Sequence, residues 1–515
     1  MTDGLWAWAT RRPAHVAVIN PDGSTITAGE LAQRANRFSH LLRSRGVAPH
    51  SRIALLVGNR HEFFELALGA QQIGVHPVPI NTHLAPDEIA HIVSDCDAGL
   101  VIIEATFTET GLAALDAIDY PADRRVVLGS PDAPAARHYE QLLDAYASTA
   151  PTQRIWSNVM LYTSGTTGRP KGVTFPMSSV PVLPEEGLAG TEPMMIRRGM
   201  STDPDGVTLV TGPLYHGAPG TWGLQGLHNG HTVVLAGSWD SERVLGLIEM
   251  YGVTTTQMAP IHFHRLLQLP ENVRSRYGHE RLRVVSHAGA PCPVETKRAM
   301  MDWWGPVLYE YFASSEGFGT SITAQEWLAH PGSVGHVNAD GAEMTVLDEN
   351  GQELPHGAIG TLWIRNPRGI LSEYLNDEAK TRSSQRDGFY TAGDQAYIDA
   401  EGWLYIADRR TDMILSGGVN IYPAEVERAL ISHPAVAEVA VVGLPDPEWG
   451  KRVHAVVVTE SGTADGEGLA EELRAHAART LARFKLFRTI EFRQALPYSP
   501  TGKLLRRVIV AEHDG

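Results

Sequence analysis

The sequence predicts an α/β fold: a large N-terminal region of mainly parallel sheets covered by helices, a small β-rich unit, and an α+β unit at the C-terminus. Three observations predict it. Helix-period and strand-like segments alternate through the first 300 or so residues. After about Gly332 the texture changes to strands joined by turn-rich loops. Beyond Asp412 helix and strand patterns return in a compact stretch. At 515 residues the chain exceeds one ordinary core.

Taken in order, Thr27 and Glu30 have capping-box spacing, and Leu31, Ala35, Phe38 and Leu42 follow on one helical face. Arg52 to Val57 reads as a buried strand ending at Gly58, and a helix covers about His61 to Ile73. Val75 to Ile80 reads as a short strand, although its prolines count against one. Leu100–Ile103, Thr232–Leu235 and Arg283–Ser286 continue the rhythm. Glu343–Leu347 and Gly360–Ile364 read as strands joined through Asp348-Glu349-Asn350-Gly351. Ala407 to Asp412 is short and charged, and reads as a junction. Then Pro423 opens a helix through Leu430, Val436–Val442 and Val453–Val458 read as strands, and Gly468–Arg479 as a helix. The expected division is 1–408, with the β-rich unit at about 332–408, a hinge at 409–412, and 413–515.

Composition narrows the class. The chain is 43% hydrophobic and 20% charged, as soluble globular proteins are. A net charge of −16 argues against a nucleic-acid partner. Cys96 and Cys292 are the only cysteines, which excludes a disulfide framework and fits a reducing compartment. Met1 to Trp6 does not read as a signal peptide, and no apolar run is long enough for a membrane span. A soluble cytoplasmic enzyme is expected. Basic residues such as Lys451, Arg474, Lys485, Arg493 and Arg506 concentrate in the C-terminal unit. They suit either a phosphate-rich partner or a solvated surface.

Five segments carry chemistry. The first is Thr163-Ser164-Gly165-Thr166-Thr167-Gly168-Arg169-Pro170-Lys171-Gly172, after the run Val159–Tyr162. Glycines allow close backbone approach, hydroxyls add donors, and Lys171 adds a mobile charge, which together suit a polyphosphate. It is not a Walker A loop, because Pro170 precedes the lysine and Gly172 follows it. The second is Tyr309 to Gly317, where Phe312 is an aromatic for a base, Ala313, Ser314 and Ser315 leave room, and Glu316 offers a carboxylate for Mg²⁺. The third is Tyr390-Thr391-Ala392-Gly393-Asp394, a carboxylate after a tight turn, suited to ribose hydroxyls. The fourth is the glycine pair of Ser416-Gly417-Gly418-Val419, and the fifth Pro500-Thr501-Gly502-Lys503, a lysine on a turn. His262, His264, His228 and His231 lack Cys or carboxylate companions and read as ordinary histidines.

In this order the five segments resemble the adenylate-forming superfamily of acyl-CoA synthetases, aryl-CoA ligases, peptide-synthetase adenylation domains and luciferases. The resemblance covers essentially the whole chain. It implies two mostly parallel sheets in the large domain and a small mobile C-terminal domain. It assigns Thr163 to Gly168 and Lys171 to the ATP phosphates. His287-Ala288-Gly289-Ala290-Pro291 falls on the adenine-side loop and Phe312 on the adenine-packing aromatic. Ala313, Ser314 and Ser315 complete the ATP site; Glu316 matches the Mg²⁺ glutamate, Asp394 the ribose aspartate and Arg409 its neighbouring arginine. Lys503 matches the lysine between carboxylate and α-phosphate. Tyr215, His216 and Gly217, with His287, Ala313 and Gly317, are assigned to the acid pocket. Gly417, Gly418 and Trp449 fall on the coenzyme A channel, although Trp449 suits packing equally, and His216 has the rival reading of a core histidine.

Three positions depart from the family pattern. Thr411 stands where the hinge commonly has Asp or Lys, Phe487 replaces a proline near the thiol partner, and Ala313 replaces a glycine at the pocket wall. No aspartate in Tyr215-His216-Gly217-Ala218 is placed to hold an α-ammonium, so an apolar aryl or fatty acid is expected rather than an amino acid. The chain ends soon after Lys503, at Gly515, which favours a free-standing ligase. The resemblance therefore implies an ATP- and Mg²⁺-dependent acid–CoA ligase with a small carboxylic acid as partner; a homodimer is an open assembly state. Two rivals stay open: an adenylating enzyme with another acceptor (a carrier-protein thiol or an amine) or another oxyacid substrate, and a non-catalytic nucleotide-binding relative.

Overall fold

Parallel pairing dominates the first half of the chain, where strands buried on both faces alternate with helices. The computed structural model describes residues 4–129, 137–163, 170–175, 182–337, 343–366, 369–409, 412–416, 419–446, 449–481, 483–499 and 502–513. A five-stranded sheet joins His76–Pro79, Arg52–Leu56, Ala98–Glu104, Arg125–Leu128 and Arg137–His138, all in parallel. Its apolar positions, such as Ile53, Leu55, Ile102 and Val127, are fully buried, as a two-sided sheet requires. The proline-bearing strand His76–Pro79 lies at the edge, where a missing N–H leaves no broken ladder.

An eight-stranded sheet follows the order Gly317–Ile322, Leu308–Ser314, Val284–His287, Thr255–Met258, Val207–Val210, Thr232–Leu235, Val16–Ile19 and Thr25–Thr27. Its inner pairs are parallel and both edge strands antiparallel. The capping box at Thr27 and Glu30 is formed and opens helix Ala28–Ser44. That arrangement stabilises a helix start by about 1 kcal/mol.

The third sheet has seven strands between Gly335 and Arg409 and is antiparallel throughout. Glu343–Leu347 pairs with Gly360–Arg365 across the predicted turn. The strand Trp403–Arg409 runs further than the sequence suggested. Ala407, Asp408 and Arg409 stay in this sheet, because Gln395 and Asp394 pair with Asp408 and Arg409. After it come the hairpin Ile414–Ser416/Val419–Ile421 and a three-stranded sheet of Val436–Asp446, Gly450–Thr459 and Thr489–Phe492. Helices Pro423–Ile431, Glu467–Ala477 and Arg506–Ala511 accompany these strands. Val426, Leu430, Val441, Val457, Leu473 and Phe487 form one core. The strand predicted to stop at Val442 continues to Asp446, since its partner Gly450–Thr459 supplies hydrogen bonds to the end of the hairpin. Among the described residues, no helix is long and apolar enough to cross a membrane.

Candidate active site

The candidate residues gather at the C-terminal ends of the parallel strands in the eight-stranded sheet, where open α/β sheets hold ligands. His287 ends one strand and pairs in register with Met258 on one side and Glu310 on the other. Gly289, Ala290 and Pro291 follow as a partly exposed turn. Phe312, Ala313 and Ser314 end the next strand, and Glu316 sits in the turn before the antiparallel return Gly317–Ile322. That hairpin is tight: a Cβ on Gly319 would lie 1.6 Å from the Phe312 carbonyl oxygen. Phe312 is partly buried and packs against the core of the antiparallel sheet.

The phosphate-loop segment is anchored at both ends. Thr163 and Lys171 face each other across the antiparallel pair Leu161–Thr163/Lys171–Thr174. Ser164, Gly165, Thr166, Thr167 and Gly168 themselves lie outside the described residues. Pro170 offers its carbonyl to the His91 ring at 3.0 Å. A third strand, Glu373–Tyr374, pairs with Lys171–Thr174. It brings Tyr374 to donate its hydroxyl to Glu316 Oε1 at 2.7 Å. Two residues on from it, Asn376 donates to the carbonyl of Asp95, whose carboxylate accepts from Tyr162.

Lys171 Nζ donates to Asp377 Oδ2 at 2.7 Å. Asp377 also caps helix Glu378–Ser383 through Lys380 N–H. The Lys171 hydrogen bond, followed by the Lys380 amide, holds the Asp377 carboxyl below its usual range. Asp394 is 4% exposed and pairs in register with Arg409. Between these groups stands Tyr390, 2% exposed. A Cβ built on Gly317 would meet its hydroxyl at 2.8 Å. Burial first, then the charge of Glu316, raises its phenol well above the usual range.

Tyr215 and His216 precede helix Gly217–His228, with His216 at its N-cap. Gly217 packs against Leu161, so this helix start meets the phosphate-loop hairpin. The two rings stand 4.7 Å apart. Burial pushes Tyr215 up to about 12 and His216 down to about 4, the latter helped by the charges of Lys503 and His83. Lys503 thus acts on a residue of the large domain from the C-terminal unit. It sits on an exposed turn closed by Ser499 N–H to Lys503 O at 2.8 Å and by the Tyr498–Leu504 bridge. Gly502 adopts φ +76 and faces Ile261 so closely that a Cβ would lie 2.1 Å from Cγ2. This turn therefore docks on the helix Pro260–Leu267, which follows the strand Thr255–Met258.

His287 is fully buried. Its ring meets Phe263 edge-on at 5.2 Å and Glu310 Oε2 at 3.6 Å. Glu310 accepts from Lys297 Nζ at 2.7 Å, and that ammonium stands 4.6 Å from the Trp327 ring centre. Sequence reasoning missed this pair, whose partners are brought together by the helix Val294–Trp304 and the strand Leu308–Ser314. It also missed Tyr374 and Asp377, for which the strand-then-cap pattern near Thr381 was the available signal.

In the C-terminal unit the Trp449 ring lies under the Arg488 guanidinium at 4.2 Å. Phe487 is 1% exposed and fills the core, so its side chain points inward rather than to a partner. Several of the basic residues are committed to carboxylates: Lys485 to Glu425, Arg493 to Glu491 and Glu512, Arg506 to Asp412 and Glu427. Gly417, Gly418 and Thr411 lie outside the described residues, as does the side chain of Arg409. His228, His231 and His262 are buried and hold Leu5 N–H, Thr208 and Ala259 N–H respectively.

The antiparallel strands that flank the glycine-rich segment, the Glu316 carboxylate tethered by Tyr374 and the Lys503 turn docked from the C-terminal unit are the elements of the candidate site. Residues 5–375 match the model of the AMP-binding enzyme family, and residues 425–503 that of the AMP-binding enzyme C-terminal domain. The chain belongs to the AMP-binding enzyme family. It is similar to fatty acid–[acyl-carrier-protein] ligase ScoC of Streptomyces coeruleorubidus, 31% identical over 97% of this chain and 93% of that protein. It is also similar to long-chain-fatty-acid–CoA ligase FadD13 of Mycobacterium tuberculosis, 32% identical over 97% of this chain and 96% of that one. The solved structure of amide bond synthetase McbA from Marinactinospora thermotolerans superposes with a TM-score of 0.82, at 26% identity and 96% coverage of both chains.

Proposed function

We propose that this enzyme is an ATP- and Mg²⁺-dependent acid–CoA ligase for an apolar aryl or fatty acid. The observation that carries the reading is the seat of Lys503: its turn docks beside Ile261, and its charge reaches His216 at the mouth of the acid pocket. A cation there offsets the repulsion between an incoming carboxylate and the α-phosphate. A carboxylate oxygen attacks the α-phosphorus, the bond to the bridging oxygen breaks, and pyrophosphate leaves toward Lys171 and the hairpin. A thiolate then attacks the acyl carbon and AMP departs. In this reading the adenine packs on Phe312 beside Gly289–Pro291, and Asp394 and Arg409 hold the ribose.

Glu316 fits a Mg²⁺ role, since Tyr374 fixes one carboxylate oxygen and leaves the other available. Bound there, the ion would neutralise phosphate charge. Between the two steps the unit 413–515 turns about 409–412 and presents Gly417, Gly418 and Trp449 to coenzyme A. The reading includes a cytoplasmic location, which the free thiols Cys96 and Cys292 suit.

A second reading keeps adenylation and changes the acceptor to a carrier-protein thiol or an amine. Phe487 favours it, because the position near the thiol partner is spent on the core. A pyrophosphate-release screen over carboxylic acids, with and without coenzyme A and with products read by mass, separates the two. The ligase reading expects an acyl-CoA. AMP formed only with an amine or a carrier protein would overturn it, and no pyrophosphate from any acid would overturn both.

A further inference from the structure

Three side chains of the C-terminal unit converge outside the site described above. His454 stands on Gly450–Thr459, Glu491 on the parallel neighbour Thr489–Phe492, and His513 just beyond helix Arg506–Ala511. His513 Nε2 lies 3.2 Å from Glu491 Oε2, and His454 Nε2 lies 3.7 Å from the same oxygen. The three atoms fall within 4.8 Å of one another. Ligands of a tetrahedral zinc ion, bound at about 2.0 to 2.1 Å, stand about 3.3 Å apart. The cluster needs only small side-chain shifts to reach that spacing.

The second nitrogen of each ring is already committed. His513 Nδ1 lies 2.8 Å from the Ile509 carbonyl oxygen, and His454 Nδ1 lies 2.8 Å from Thr489 Oγ1. A carbonyl only accepts, so His513 donates from Nδ1, which leaves Nε2 as the ring's atom for a metal. Hydrogen bonds of this kind orient histidines that bind metals. His454 is 4% exposed, and its Nε2 is buried with no hydrogen-bond partner.

Arg493 donates to Glu491 Oε1 at 2.6 Å and to Oε2 at 3.1 Å, and pairs with Glu512 at 2.6 Å, which holds the Glu491 carboxylate in place. The Arg452 guanidinium also acts on His454, so two carboxylates stand against two guanidiniums. Glu491 and His513 are 35% and 26% exposed, so the cluster opens to solvent on one side.

We propose that His454, Glu491 and His513 form a binding site for a divalent transition cation, Zn²⁺ foremost, with its fourth position open to water. Two imidazoles and one carboxylate select such an ion over Mg²⁺. The bound ion would fasten the end of the chain to the three-stranded sheet. It would thereby stiffen helix Arg506–Ala511, which follows the Lys503 turn directly.

The test is equilibrium dialysis of the full chain against Zn²⁺, beside His513→Ala, which alters an exposed terminal residue and should leave the fold intact, and Glu491→Gln. Sites elsewhere among the 22 histidines are common to all three proteins and cancel. One Zn²⁺ per chain should be lost or weakened by more than about 10-fold in both variants, undisturbed by millimolar Mg²⁺. Co²⁺ in the intact chain should give the visible absorption of a low-coordinate nitrogen-ligated site, absent from His513→Ala. Equal stoichiometry and affinity in the intact chain and both variants would overturn the proposal, as would displacement of the ion by Mg²⁺.

Discussion

Tyr374 donates its hydroxyl to Glu316 at 2.7 Å from a strand that pairs with the one opening at Lys171. The glutamate assigned to Mg²⁺ and the lysine assigned to phosphate are therefore held by one three-stranded sheet.

Removing that bond should loosen Glu316 without changing its charge. A hydrogen bond to a carboxylate contributes about 1.5 to 3 kcal/mol. Tyr374→Phe should lower adenylate formation by about 10-fold or more, with the deficit shrinking as Mg²⁺ is raised. Pyrophosphate release over a Mg²⁺ series reads this. A rate equal to that of the parent protein at every Mg²⁺ concentration would remove Tyr374 from the account.

Lys297 and Glu310 are a buried ion pair, and breaking one side strands the other charge. Burial already raises the Glu310 carboxyl above its usual range. Lys297→Met should destabilise the protein by about 3 to 5 kcal/mol, whereas Lys297→Met combined with Glu310→Met should cost less than the single change. Urea unfolding of the parent protein, Lys297→Met, Glu310→Met and the double variant measures it. A double variant as unstable as the sum of its singles would mean the two charges do not act as a pair.

Acid should unfold this protein earlier than its carboxylates alone dictate. Burial holds His216 and His231 down at about 4 and His228 and His262 at about 3. Unfolded, each titrates near about 6.5. The unfolded chain thus binds more protons below that pH, so the stability is complete above about 6.5 and falls as pH drops toward 4. Each such group contributes up to about 1.4 kcal/mol per pH unit in that window. Urea midpoints at pH about 7.5 and about 5.5 should differ clearly. A midpoint unchanged between them would show that these histidines are not buried in neutral form.

Much of this architecture is legible in the sequence where local chemistry decides it. The Thr27–Glu30 capping box, the Arg52–Leu56 strand and the antiparallel pair at Glu343 and Gly360 all depend on near neighbours, and they form as expected. The prolines at 77 and 79 weakened the reading of a strand there, yet the strand forms, because at a sheet edge a missing N–H is tolerated. What the sequence could not display is contact between segments far apart in the chain. Tyr374 and Glu316 are 58 residues apart, and Lys171 and Asp377 are 206 apart. Nothing local marks Lys297, and only the fold places it over Trp327. Phe487 read as a departure at a partner-binding position, yet its replacement of proline serves packing.

The central claim is that Lys503 acts on the carboxylate and α-phosphate from a turn docked against the large domain. The most direct measurement compares the two half-reactions in Lys503→Ala, using the acid found by the pyrophosphate screen. Adenylate formation should fall by about 10²- to 10³-fold, while thioester formation from supplied acyl-adenylate keeps most of its rate. Equal loss of both half-reactions would contradict the account and make Lys503 a structural residue.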